Sequence, residues 1–135
     1  MLATISNEMV KAQKQHFGRG PTHAKSYMLD DFLIIVMRGG LTQAEKSMLD
    51  FDQADKVRDF RQTFENEMTS RLTTMIEDVT GRKVLTYQSQ ILFDPDVVFE
   101  IFMFDQPARE EEVRETAEGQ LSKPSLGEAA DELTG

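Results

Sequence analysis

The stretch from Gln53 to Gly81 constrains the fold of this chain most, because its apolar residues recur at steps of three and four. That spacing predicts one helix with an apolar side and a polar side. Such a helix is about 42 Å long, so the strands of a small domain must pack along it. Gly81 is suited to be its C-cap. The predicted apolar side contains Val57, Phe60, Phe64, Met68, Leu72, Met75, Ile76 and Val79, and the predicted polar side contains Asp59, Gln62, Glu65, Asn66, Thr69, Ser70 and Thr73.

Before the long helix, the sequence predicts a short helix and a β-hairpin. Residues 1–17 have the apolar stripe of an amphipathic helix, and the Gly-Arg-Gly-Pro sequence at residues 18–21 ends it. Lys25 to Leu29 and Phe32 to Gly39 are predicted strands, joined by a tight turn at residues 30–31. A second short helix is predicted to begin after Thr42 and to reach about residue 49.

After the long helix, the sequence predicts a second hairpin. Its strands are Val84 to Phe93 and Val97 to Phe104, and the Asp-Pro-Asp sequence at residues 94–96 is the turn. The complete order predicts an α+β fold: a four-stranded antiparallel sheet from two β-hairpins, packed on one long helix, with a short N-terminal helix. Alternation in the third strand predicts that Leu85, Tyr87, Ile91 and Phe93 share one face.

The strand from Phe32 to Gly39 is apolar on both faces, which predicts that both faces are covered. The long helix is expected to cover one face. The first helix or a second copy of the protein is expected to cover the other, which indicates a homo-oligomer, most simply a dimer. The residues predicted for such an interface are Phe32, Ile34 and Val36, with Arg58 and Arg61 as candidates for interface ion pairs. The alternative interpretation of the two arginines is that their stems cover apolar surface while the charged ends reach water or a carboxylate.

Charge and composition exclude several classes of protein. The chain has 135 residues, a formal net charge of −9 and no cysteine, so neither disulfides nor thiolate metal sites are expected. An acidic chain is poorly suited to bind duplex DNA, and no apolar run approaches the roughly 20 residues of a membrane helix. We therefore expect a cytoplasmic protein without direct membrane insertion. Residues 1–106 are predicted to form the domain, and residues 107–135 an acidic, mostly disordered tail.

Two glycine-containing loops are candidates for binding a small anion. Glycine lets backbone amides approach a phosphate or carboxylate, arginine adds a charged fork, and a helix begins after Thr42. The alternative interpretation is that both loops are turns in which glycine provides a positive φ. No Walker or dinucleotide fingerprint is present. The candidate anion-binding residues are Arg19, Gly20, Lys25, Arg38, Gly39, Gly40 and Thr42.

Metal binding and catalysis receive little support from the sequence. His16 and His23 are the only histidines, and the break at residues 18–21 separates them, so surface positions are favoured over a metal site with the aspartates at 30 and 31. Other paired carboxylates are explained as turn, cap or helix-end residues. Because no nucleophile and base can be paired, the sequence predicts no enzyme, no metal and no cofactor.

Several short motifs along the chain can be considered together. They are Ile5 to Val10, Phe17 to Thr22, Asp30-Asp31, Gly39 to Thr42 with Ala44 to Lys46, Val57-Arg58 with Arg61, Ile76 to Val84, Gln88 to Gln90, and Asp94 to Asp96. Over about residues 1–105, this set resembles the bacterial MpsC-type family, which is named for a sodium-translocating, membrane-potential-generating system.

The resemblance implies a small bacterial protein with an accessory role beside a membrane ion- or bicarbonate-handling system. It implies no set of catalytic residues. Two functional hypotheses follow. The first is a non-enzymatic accessory or regulatory protein that acts through protein–protein contacts, as a homodimer and with a membrane protein as candidate partner. The second is a sensor of a small anion or nucleotide that uses the two glycine-containing loops.

Overall fold

The computed structural model describes residues 1–106, and within them it confirms the predicted α+β fold. The acidic tail predicted for residues 107–135 lies outside the described residues. Within these residues, three helices and four strands follow one another. They are α1 (Leu2–Phe17), β1 (His23–Leu29), β2 (Phe32–Arg38), α2 (Gln43–Asp50), α3 (Ala54–Thr80), β3 (Val84–Leu92) and β4 (Val97–Phe104).

The four strands form one antiparallel sheet in the order β1-β2-β4-β3. Each hairpin pairs its own strands, and β2 pairs with β4 to join the two hairpins. The central strands are therefore the two whose sequences are apolar on both faces. Each has a neighbour on both sides, so neither has a free edge.

Helices α1 and α3 pack on the same face of the sheet. Ile5 and Met9 from α1, and Met68 and Leu72 from α3, belong to one buried core with the inward residues of the strands. The sequence left open whether the first helix covers the second face, and this shared core excludes that arrangement. The strand residues of the core are Met28, Leu33, Ile35, Met37, Val98, Phe102 and Phe104.

The inner side of α3 carries two charged residues that the sequence pattern did not place there. Arg61 and Glu65 are 3% and 6% exposed, and Phe60 is 49% exposed. Glu65 on the polar side and Phe60 on the apolar side were therefore both wrong predictions. The other buried positions recur regularly along the helix: Val57, Met68, Leu72, Ile76 and Thr80.

Leu85 does not share the inner face of β3, as strict alternation predicted. The register shifts between Val84 and Thr86, which marks a bulge, and a bulge reverses the direction of the side chains that follow it. Leu85 is 59% exposed as a result. Val84, Tyr87 and Ile91 pack against the core instead.

Candidate functional site

The sheet face opposite the helices is the largest feature that the core does not use. Paired residues on β2 and β4 share this face: Phe32 with Met103, Ile34 with Ile101, and Val36 with Phe99. All six are half-buried, whereas the alternate residues of both strands are buried. We call these six side chains the open face.

The outer strands extend the open face unequally. On the β1 side, Leu29, Tyr27 and Lys25 pair with Phe32, Ile34 and Val36, and Leu29 is 47% exposed. On the β3 side, Thr86, Gln88 and Gln90 pair with Met103, Ile101 and Phe99, and Leu92 pairs with Val97. The surface therefore has an apolar centre, a β1 edge that is apolar except for Lys25, and a β3 edge that is mostly polar. No helix within residues 1–106 covers it, because α1 and α3 pack on the opposite face.

The residues predicted for an interface divide into two groups. Phe32, Ile34 and Val36 all lie on the open face. Arg58 and Arg61 lie on α3, which packs on the opposite face of the sheet. Arg58 stacks over the Phe93 ring at 4.8 Å and pairs with Asp55 at 3.7 Å, whereas Arg61 is buried and bonded within the chain.

Arg61 connects α3 to the loop before α2 and to α2 itself. Its Nε and Nη2 each donate to a different oxygen of Glu45 at 2.6 Å, and Nη2 also donates to Gly40 O at 3.0 Å. Its Nη1 donates to Gln13 Oε1 at 3.3 Å, and its guanidinium lies 3.9 Å from the Phe17 ring centre. This two-bond ion pair is almost completely buried, and it connects three helices.

Glu45 also caps α2, as the capping-box spacing of the sequence indicates. Its Oε1 accepts from Thr42 N at 2.8 Å, and Thr42 Oγ1 accepts from Glu45 N at 3.2 Å. Burial raises the pKa of the Glu45 carboxyl, but the hydrogen bonds from Arg61 and from Thr42 N outweigh burial. The net result is a pKa below the usual value.

The two glycine-containing loops lie next to each other, and several of their amides donate within the chain. Arg19 Nε donates to Gly39 O at 3.3 Å. Gly39 N donates to Asp96 O at 3.1 Å, and Leu41 N donates to a side-chain oxygen of Asp96 at 3.2 Å. With Glu45 on the Thr42 amide, two carboxylates of the protein already occupy the place that an external anion would take.

The other candidate anion-binding residues have separate surroundings. Lys25 lies on β1, where its Nζ is 5.2 Å from the Tyr27 ring centre. Gly39 has φ +75°, and a Cβ there would lie 2.4 Å from Thr22 Oγ1, so this glycine is required by the turn. Arg38 is exposed, and its carbonyl accepts from Thr22 N at 2.8 Å. Gly20 packs beside Val10 and Lys14.

We expect phosphate, bicarbonate and nucleotides to leave Tm unchanged, because the amides of Gly39, Leu41 and Thr42 are already bonded within the chain. Ligand binding to the folded state raises Tm by mass action, so a thermal-shift series over ligand concentration measures this directly. The Arg19→Ala variant is the matched control. A saturable rise in Tm that disappears in this variant would establish the anion-sensor hypothesis instead.

The two histidines lie apart from each other. His16 Nε2 is 3.4 Å from Arg71 Nη1, and its ring packs against Phe64. His23 Nδ1 is 3.1 Å from Thr22 Oγ1. In residues 1–106, no three histidine, aspartate or glutamate side chains converge as metal ligands.

The comparisons with known proteins place this chain in a family. Within residues 1–106, the chain has an antiparallel sheet with α1 and α3 on one face, and no helix there is long and apolar enough to cross a membrane. Residues 1–106 match the family described as "Na+-translocating membrane potential-generating system (MpsC)". The chain belongs to the MpsC family, and the family links it to a membrane sodium-translocating system. No curated protein and no solved structure matches the chain.

Proposed function

We propose that this protein is a non-enzymatic accessory subunit of a sodium-translocating membrane system and acts from the cytoplasm through protein contacts. The observation that supports this most directly is the open face. Six apolar side chains lie side by side on the two central strands of the sheet. A contiguous apolar surface of this kind marks a contact site in soluble domains.

A second copy of the chain is the occupant that we propose for the open face. Two sheets stack face to face at about 10 Å when both present apolar side chains. A two-fold axis through the centre would bring Ile34 and Ile101 of one copy against the same residues of the other, since such an interface uses one patch twice. The charged surfaces of α3 then face outward, where a membrane subunit can contact them.

The test places a charge at the centre of the open face. Ile34→Glu and Ile101→Glu each put a carboxylate into the proposed interface, and burying an unpaired charge is strongly unfavourable. Ser70→Glu adds the same charge on the exposed side of α3 and is the matched control. Sedimentation equilibrium of the full chain measures the mass of each variant.

We expect the unaltered chain and Ser70→Glu to be dimers at high micromolar concentration, and both open-face variants to be monomers with unchanged circular dichroism. A monomeric unaltered chain would refute the second copy as occupant. Co-purification from membranes with sodium-translocating subunits tests the accessory role separately. Capture that is equal for Ile34→Glu and the unaltered chain would assign that contact to another surface.

A further inference from the structure

A buried hydrogen-bonded cluster joins α3 to strands β3 and β4. Tyr87 Oη lies 2.6 Å from Glu65 Oε1 and 2.5 Å from Glu100 Oε1. Glu100 is fully buried, and Glu65 is 6% exposed. Tyr87 is held in place because its ring stacks on Phe102, with ring centres 4.7 Å apart. The phenol oxygen therefore has a fixed position between the two buried carboxyl groups.

These oxygens require one more proton than the phenol provides. A tyrosine O–H donates one hydrogen bond, and an ionised carboxylate only accepts. The phenol satisfies one of its two carboxyl contacts as donor. The second contact is a hydrogen bond only if that carboxyl carries a proton and donates it to Tyr87 Oη. Separations of 2.5 and 2.6 Å agree with O–H···O bonds between such groups.

The phenol that Glu65 and Glu100 share is neutral, so it cannot offset two negative charges. Burying two carboxylate charges side by side without compensation is very unfavourable. The titratable groups that meet in the cluster are Glu65 from α3, Tyr87 from β3 and Glu100 from β4. The residues that lie beside Glu100 across the sheet are uncharged: Ser89 on β3, Ile35 on β2 and Ser26 on β1. Ser26 in turn bonds to Ser6 of α1.

We propose that the Glu65–Tyr87–Glu100 cluster is a proton-binding site, which holds one exchangeable proton between two carboxyls and so fastens β3 and β4 to α3. This inference does not depend on the proposed contact function. Burial, followed by repulsion from Glu65, raises the pKa of Glu100 well above its usual range. Burial also raises the pKa of Tyr87, so the phenol remains protonated.

The bound proton makes folding depend on pH in a defined direction. The unfolded chain loses this proton near the ordinary glutamate pKa of about 4.3, whereas the folded protein retains it to higher pH. The stabilisation is complete below the unfolded pKa and is lost as pH rises through the folded pKa. Across that window, the folding equilibrium constant falls by up to about tenfold per pH unit.

Carboxyl ¹³C NMR of the unaltered full chain, titrated from pH 4 to pH 9, tests the site directly. Above the ordinary glutamate pKa of about 4.3, we expect one carboxyl of the cluster to keep the chemical shift of a protonated acid. Burial raises the pKa of Glu100, so its signal is the one to follow. A Glu100 carboxyl that ionises near the ordinary pKa of about 4.3 would overturn the proposal.

Glu100→Gln replaces the proton with an amide N–H that can donate to Tyr87 or Glu65. We expect this variant to lose the fall in the folding equilibrium constant between pH 5 and pH 8. Glu67→Gln, at an exposed position of α3, is the matched control and should keep that fall. If Glu100→Gln does not fold, Glu65→Gln provides the same comparison.

Sodium and potassium chloride at equal ionic strength distinguish a proton from a metal cation as the ligand. The proton assignment predicts the same Tm in both salts at every pH. A Tm that rises specifically with sodium, and no longer does so in Glu100→Gln, would replace the proton with a sodium ion and refute the assignment.

Discussion

Replacing Arg61 with methionine should destabilise the folded protein by about 3–5 kcal/mol, because it leaves the buried Glu45 carboxylate without its counter-charge. Arg61 makes two 2.6 Å bonds to Glu45 and lies over the Phe17 ring. Methionine fills part of the volume but provides none of these bonds. For a domain of this size, the loss corresponds to a Tm lower by more than about 10 °C.

Arg58→Met is the matched control for this prediction. Arg58 also lies on α3 and also pairs with a carboxylate, but its partner Asp55 is fully exposed. We expect this variant to lose no more than about 1 kcal/mol. Urea unfolding of both variants gives the comparison.

The double variant Arg61→Met with Glu45→Gln isolates the charge effect. The double variant has no Glu45 carboxylate and so no unpaired buried charge, and it should be more stable than Arg61→Met alone. The difference in unfolding free energy between Arg61→Met and the unaltered chain should also become smaller at acidic pH. The pKa of Glu45 is lowered in the folded protein, so its stabilisation is present above the ordinary pKa and lost as pH falls through the folded value. An Arg61→Met variant as stable as Arg58→Met would contradict the buried ion pair.

Replacing Phe102 with alanine should cost about 3–5 kcal/mol, whereas replacing Leu85 with alanine should cost less than about 0.5 kcal/mol. Phe102 is fully buried at the centre of β4, and its loss leaves a cavity beside Tyr87. Leu85 lies at the bulge with most of its side chain in solvent. The two substitutions therefore compare one aromatic and one aliphatic residue with opposite exposure.

Thermal or chemical unfolding of the two variants decides between the bulged and the regular register of β3. In the regular register, Leu85 would face the core next to Tyr87, and its replacement would cost about 2–5 kcal/mol. A large loss of stability in Leu85→Ala would therefore show that the bulge is absent in solution.

The sequence predicts the elements of this fold well because each is encoded locally. The helical spacing of α3, its C-cap at Gly81, and the Thr42–Glu45 capping box all involve residues within a few positions of one another. The structure confirms the helix, the cap and the box at these places. The family assignment is confirmed for the same reason, since the motifs that carry it lie within the matched residues 1–106.

The two buried charges of α3 were not predictable from its own pattern. Arg61 and Glu65 follow Val57 at steps of four, which places them on the inner side. A hydrophobicity pattern assigns charged residues to solvent unless partners are known. Their partners are Glu45, Tyr87 and Glu100, and only the folded arrangement brings those residues to the helix.

The apolar character of both faces of β2 predicted that both faces are covered, and β4 has the same character apart from Glu100. In the structure these are the two central strands, and α1 and α3 cover one face of them. Among residues 1–106, no helix covers the other face. The pattern therefore predicted a surface that needs a cover, whereas the order in which the strands pair is visible only in the structure.

The candidate anion site could not be judged from the sequence alone. Glycine and arginine residues in two loops predict a place for an anion, but they do not show whether a carboxylate of the protein itself takes that place. Here Asp96 and Glu45 accept from the amides of Leu41 and Thr42. No sequence motif indicates that Asp96 and Glu45 accept these bonds, so only the structure shows that the amides of Leu41 and Thr42 are already bonded.

The junction between the two hairpins also determines how fast this chain can fold. Arg38 pairs with Val97, so α2, α3 and β3 all lie within the loop that this pairing closes. Closing a longer loop costs more chain entropy, and contacts between distant residues slow folding. Helix α3 and the hairpin turns form from neighbours in the sequence, on the microsecond scale. We therefore expect the meeting of β2 with β4 to be the rate-limiting step.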